Sequence, residues 1–160
     1  MIKEVRKNDI PECVEVIRES FLTIANEFGF TEENAPRFTA FATNKERLYW
    51  HYDNVNRYMY AYYDGEKLVG YYSLVMVEDS ECELQNLCVL PYYRHKGIGK
   101  ELLQHAFDQA REKKCVKINI GIVEENKVLR RWYESNGFYH KGAEKLDFFP
   151  FTCGYMERNL

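Results

Sequence analysis

The residue types and spacing best suited to chemistry lie in Leu87-Cys88-Val89-Leu90-Pro91-Tyr92-Tyr93-Arg94-His95-Lys96-Gly97-Ile98-Gly99-Lys100. An apolar run stops at a proline, a short basic turn follows, and two glycines open a segment of helical periodicity. The first amides of a helix have no intrahelical acceptor, and the helix dipole is positive at that end. Glycine removes the Cβ, so an oxyanion can approach the backbone. Arg94, His95, Lys96 and Lys100 add positive potential, and the turn reads as a diphosphate cradle. The glycines alone would equally serve a tight strand-to-helix turn with solvated bases beside it. The chain has no G-x-x-x-x-G-K-[ST] and no G-x-G-x-x-G, which argues against a P-loop NTPase and a Rossmann dinucleotide fold.

Other reactive residue types are scattered. Cys13, Cys82, Cys88, Cys115 and Cys153 are odd in number and form no C-x-x-C pair, so reduced thiols and a cytoplasmic protein are expected. Cys88 sits inside an apolar run with no local activating partner, which fits a small core residue better than a nucleophile. His51, His95, His105 and His140 show no metal-ligand spacing, and no metal is expected. Residues 1–6 carry no apolar signal region, and no apolar run is long enough to span a bilayer, so no membrane partner is expected. The formal net charge of -3 argues against nucleic acid as a partner.

The elements that position the turn follow from periodicity. Residues 2–6 read as a strand. Asp9 and Glu12 form a capping box ahead of a helix carrying Ile10, Val14, Ile17, Phe21, Ile24 and Phe28, with Gly29 as its stop. Residues 31–43 read as a loop or broken helix, and 44–52 as an aromatic helix. Strands are expected over 57–63 and 68–77, joined by the Asp64-Gly65 turn, and over 83–90. A helix over 98–111 follows, then a strand over 116–123, a helix over 126–136, and strands over 138–142 and 151–158. With 160 residues, this is one α/β domain: a mixed, mostly antiparallel six- to seven-stranded sheet flanked by helices on both faces. The 13 tyrosines need hydrogen-bond partners if buried, so many are expected at a cavity rim.

Two blocks carry a family resemblance. Arg94-His95-Lys96-Gly97-Ile98-Gly99 resembles the [QR]-x-x-G-x-[GA] signature of the GCN5-related N-acetyltransferase (GNAT) superfamily. Asn126-Lys127-Val128-Leu129-Arg130-Arg131-Trp132-Tyr133-Glu134-Ser135-Asn136-Gly137-Phe138 resembles its N-x(6)-Y-x(3)-G-F block, and Glu83 to Val89 is similar to its fourth strand. The resemblance implies acetyl-CoA as cosubstrate, bound in a V-shaped opening between the fourth and fifth strands. It implies that the backbone of Leu87, Cys88 and Val89 holds the pantetheine arm by strand addition, with the Leu87 amide on the thioester carbonyl. It places the pyrophosphate on the amides of Arg94, His95, Lys96, Gly97, Ile98, Gly99 and Lys100, and Asn126 against the pantetheine arm. Asn126 also suits a plain helix N-cap. Tyr133 matches the general acid that protonates the leaving thiolate, and Glu83 the general base that deprotonates the amine. A core tyrosine beside Trp132 and a solvent-facing glutamate are the alternatives.

The implied reaction is transfer of an acetyl group to a primary amine of a small molecule or peptide, by direct attack in a ternary complex. A non-catalytic acetyl-CoA sensor or assembly module would use the same cradle without needing Tyr133. A homodimer is compatible with either. The acceptor site is expected from residues 28–53, where Glu32, Glu33 and Glu46, with Glu27 just before them, and Phe30, Phe38, Phe41, Tyr49, Trp50 and Tyr52 suit a cationic amine. Phe148-Phe149-Pro150-Phe151 is expected as a further wall or as core.

Overall fold

A computed structural model describes residues 1–160. In chain order the elements are β1 (Ile2–Glu4), α1 (Ile10–Phe28), α2 (Thr39–Ala42), α3 (Lys45–Asp53), β2 (Arg57–Asp64), β3 (Lys67–Glu78), β4 (Glu81–Val89), α4 (Ile98–Glu112), β5 (Lys117–Val123), α5 (Lys127–Ser135), β6 (Tyr139–Lys145) and β7 (Thr152–Asn159). The seven strands form one sheet in the order β1-β2-β3-β4-β5-β7-β6, and only β4 and β5 pair in parallel. A mixed, mostly antiparallel sheet was expected, and this is one.

The centre of the sheet is covered on both sides. Every residue from 68 to 74 is buried. Successive side chains on a strand point to opposite faces. Tyr71 lies near Cys13 of α1, whereas the Tyr72 hydroxyl is 2.7 Å from Nδ1 of His105 on α4. So α1 and α4 lie on opposite faces of β3. Tyr60 stacks on Tyr72 and donates from its hydroxyl to Gln109 Oε1 at 2.8 Å. Tyr60 and Tyr72 therefore sit in the core, contrary to the expectation of a cavity rim, because α4 supplies their polar partners; the buried Tyr71 hydroxyl has none. A smaller apolar cluster of Ala25, Phe30, Ala35, Phe38, Ala40, Val123 and Phe151 ties the residues around α2 to the end of β5 and the start of β7.

Local sequence explains most boundaries. Gly29 ends α1 at φ 73, and the Phe30 amide closes onto the Ala25 carbonyl at 2.8 Å. Asn44 caps α3 by accepting from the Arg47 amide at 2.8 Å. The capping box at Asp9 and Glu12 is not formed. The chain enters α1 through a 3-10 turn at Lys7–Asp9, so Asp9 is already helical (φ -82, ψ -12) instead of extended. Its carboxylate accepts from the Arg6 amide at 2.8 Å, and Glu12 instead accepts from the Leu68 amide at 3.2 Å.

Candidate active site

The site begins where two parallel strands part. Their pairing covers four registers, from Glu81–Lys117 to Leu84–Ile120, and then stops. Past Leu84, β4 is no longer paired to β5, while β5 continues to pair with β7 through Val123. Between β3 and β4 the register also slips: Tyr71 pairs with Cys88 but Ser73 with Gln85, so β4 carries one extra residue. Asn86 takes a left-handed φ of 56 there, and Leu87 has no ladder partner on either side. A bulge of this kind bends the strand and leaves backbone groups unpaired.

A cleft of about 290 Å³ fills the opening. Its walls include Glu83 to Leu87 of β4, Ile120 to Val123 of β5, Asn126, Leu129 and Tyr133 at α5, and Phe21, Arg37 and Phe38 from the α1–α2 region. Phe149, Phe151, Cys153 and Tyr155 close the far side. Glu83 and Tyr133, the expected base and acid, thus share one cavity with Leu87 and Asn126.

Tyr133 is buried at 6% exposure, packed edge-on against Trp132 and Phe138. Its hydroxyl has no hydrogen-bond partner in the protein. Burial, with the Cys88 thiol adding to it, pushes the phenol above its ordinary range, so it stays protonated at neutral pH. Asn126 accepts the Leu129 amide at 3.2 Å, which makes it the N-cap of α5, and it also lines the cleft. The two expected roles are compatible. Glu83 alternates with the buried Cys82 and Leu84. Its Oε1 accepts from Gln85 Nε2 at 3.1 Å; Gln85 Oε1 accepts from Arg57 at 2.8 Å, and Arg57 also donates to Ser73 at 3.1 Å. This chain of partners was not foreseen, because it joins residues 16 to 28 positions apart.

The expected cradle lies beyond the end of β4. His95 (φ 62) and Gly97 (φ 84) both take left-handed conformations, and α4 starts at Ile98. The amides of His95, Lys96, Gly97, Ile98, Gly99 and Lys100 have no acceptor in the protein. The Arg94 amide differs: it donates to the Pro91 carbonyl at 3.3 Å. Its guanidinium donates to the Val89 carbonyl at 3.0 Å, Thr23 at 3.0 Å and the Ser20 carbonyl at 2.9 Å. Arg94 therefore ties the turn to α1, and six amides remain for a ligand. Cys88 is buried, and burial pushes its thiol up to about 12, which suits a core residue and not a nucleophile. No group of three or more His, Cys, Asp or Glu side chains is placed to hold a metal ion.

Residues 18–138 match the model of the acetyltransferase (GNAT) family. The chain belongs to that family. As a GNAT member it is an acyltransferase with acetyl-CoA as cosubstrate. It is 31% identical over 147 residues to the N-acetyltransferase YjgM of Escherichia coli, covering 88% of this chain and 82% of that one. It is 28% identical over 153 residues to a spermidine N(1)-acetyltransferase of Thermoplasma acidophilum, covering 91% and 93%. Among solved structures, the PaiA N-acetyltransferase of T. acidophilum in complex with coenzyme A superposes with a TM-score of 0.83 at 23% identity, over 100% of this chain and 98% of that one.

The part of this GNAT cleft near α2, where the acceptor was expected, is built differently from expectation. Glu27, Glu32 and Glu33 are exposed and do not line it, and Glu46 lies with Trp50 in a separate shallow hollow. Of the early aromatics only Phe38 reaches the wall. The acids fall on the outer surface because the buried positions of this segment, Phe30, Ala35 and Phe38, point into the smaller core. Phe149 and Phe151 are both wall and core. Sequence reasoning missed Arg37, which lines the cleft. No helix of the protein is long and apolar enough to cross a membrane.

Proposed function

We propose that this enzyme transfers the acetyl group of acetyl-CoA to a primary amine by direct attack within a ternary complex. The observation that carries the reading is that one cleft holds an unpaired strand edge, a protonated phenol and a carboxylate, and that the edge leads to six unpaired amides at the start of α4. The bound thioester supplies the acetyl carbon and the leaving sulfur. The amides of His95 to Lys100 hold the pyrophosphate, and the β4 edge at Leu87, Cys88 and Val89 pairs with the pantetheine arm. The Leu87 amide, left without a ladder partner by the bulge, donates to the carbonyl oxygen as charge develops there.

Glu83 takes the proton from the acceptor ammonium, directly or through one water, so that the nitrogen lone pair forms the new C–N bond. The C–S bond breaks, Tyr133 gives its proton to the departing sulfur, and the second proton of the attacking nitrogen restores the phenol as the amide forms. The raised, buried thiol of Cys88 supports direct attack over an acyl-cysteine route. A thiol-release assay with acetyl-CoA against a panel of primary amines tests the reading. Thiol release that depends on one amine class supports it. Tight acetyl-CoA binding by calorimetry with no turnover on any amine would instead favour a sensor module.

A further inference from the structure

Only two charged side chains line the cleft: Glu83 and Arg37. Glu83 is hydrogen-bonded to Gln85. Arg37 forms no ion pair and no hydrogen bond in the protein. Its guanidinium lies over the ring of Phe148, 4.2 Å from the centroid. That ring is braced by Phe149 at 4.7 Å, which stacks on Phe151 at 4.6 Å, and Phe151 belongs to the smaller core. Phe38, the next residue, is buried in the same cluster. The cation is exposed at the rim of the cleft and rests against this aromatic group. With no partner in the protein, its N–H fork is free to meet an oxyanion.

Three charges on the neighbouring segments are engaged elsewhere. Glu125 accepts the Thr152 amide at 2.7 Å, and Glu144 accepts from the Tyr155 hydroxyl at 3.1 Å. Lys145 donates to the carbonyls of Leu146 and Phe149. Arg37 is the one charged group of the cleft without a partner.

We infer that Arg37 is a specificity residue for an acceptor that carries an oxyanion, a carboxylate or a phosphonate, beside its amine. The acceptor class is then a zwitterionic amino acid or aminophosphonate with an apolar body that fits the Phe38, Phe149 and Phe151 wall. A polyamine would set its second cation against Arg37. The inference rests on the acetyltransferase reading above.

Binding of acetylated products to the CoA-loaded protein tests it without turnover. Calorimetry would compare N-acetyl-phenylalanine, its uncharged amide, an N-acetylated aminoalkylphosphonate and N1-acetylspermidine, on the parent and on Arg37→Gln and Arg37→Lys. The acid or the phosphonate is expected to bind at least roughly tenfold tighter than the amide, the usual scale of one charge-assisted contact. Arg37→Gln should erase that difference and Arg37→Lys keep part of it. Whichever of the two anions binds more tightly identifies the oxyanion. Equal binding of acid and amide, binding of none of the four, tighter binding of the acetylated polyamine, or a difference that survives Arg37→Gln would each overturn the inference. Binding of CoA itself, measured first on the parent, reports separately on the acetyltransferase reading.

Discussion

Tyr133 shows how burial and the proposed acid role suit one side chain. The ring is fixed by Trp132 and Phe138, and desolvation holds the proton on the oxygen. A phenol that stays neutral until a thiolate forms beside it is suited to the acid role. Tyr133→Phe keeps the ring and its packing, so CoA affinity should hold within a few-fold while turnover falls by roughly 10²–10⁴. Equal rates would return Tyr133 to the core. Glu83 poses the complementary question. Glu83→Gln should lower turnover at neutral pH by a similar factor and recover at high pH, where free amine is abundant. Glu81→Gln is the control. It shares the strand face but pairs near Lys117 (3.7 Å) and Asn119 (3.5 Å), away from the cleft. A parallel loss in both variants would indicate general electrostatics, and no loss in Glu83→Gln would leave proton removal to water. That Tyr133 and Asn126 share one wall of the cleft was legible in the sequence, because one helical block fixes their spacing. Arg57, Gln85 and Arg37 were not, since their roles come from contacts across loops that no local pattern encodes.

At the scale of elements, the turn before α4 was legible and the bulge in β4 was not. Gly97 marks a backbone need that few other residues meet. In contrast, nothing in Glu83-Leu84-Gln85-Asn86-Leu87 announces a left-handed residue, although Asn86 is one of the side chains that tolerate it best. The capping box failed for a related reason: the motif was present, but the 3-10 turn upstream had already set the dihedrals of Asp9. The two glycines of the turn make different demands. At Gly97, with φ 84, any β-branched replacement is strained whatever the ligand does. At Gly99 a Cβ would meet only ordinary contact, with Trp132 at 3.7 Å. Gly99→Val should therefore cost at most about 1 kcal/mol of stability while its branched side chain crowds the amides that hold the pyrophosphate. CoA affinity should fall at least roughly tenfold, or about 1.4 kcal/mol. Calorimetry and a melting curve on the same sample check both halves. Unchanged affinity would mean that the ligand does not approach this turn closely.

The whole molecule is a sheet that opens at its middle, with a large core around β2, β3 and β4 and a smaller one between α2 and the end of β5. Composition and periodicity made the mixed α/β sheet and its helices legible, because core-facing positions repeat along most elements. Side chains buried for polar reasons were not legible, and His51 is the clearest case. It sits in α3 at 6% exposure, its Nδ1 has no partner, and burial, reinforced by Arg57 and Arg47, lowers its pKa to about 4. In the unfolded chain the imidazole titrates near its ordinary 6.5. Between those values the unfolded state binds a proton that the folded state refuses. Stability from this group is thus complete above about pH 6.5 and is lost progressively as the pH falls toward 4. His51→Leu removes the titration and puts an apolar side chain of similar size but different shape in its place, so it should lower the melting temperature at pH 7.5 through imperfect packing. Its melting temperature should then decline less than the parent's as the pH is lowered from 7 to 4.5. Carboxylates common to both proteins cancel in that comparison. Parallel curves for the two proteins would show that the folded state accommodates a charged His51, by a shift of α3 or by water reaching Nδ1.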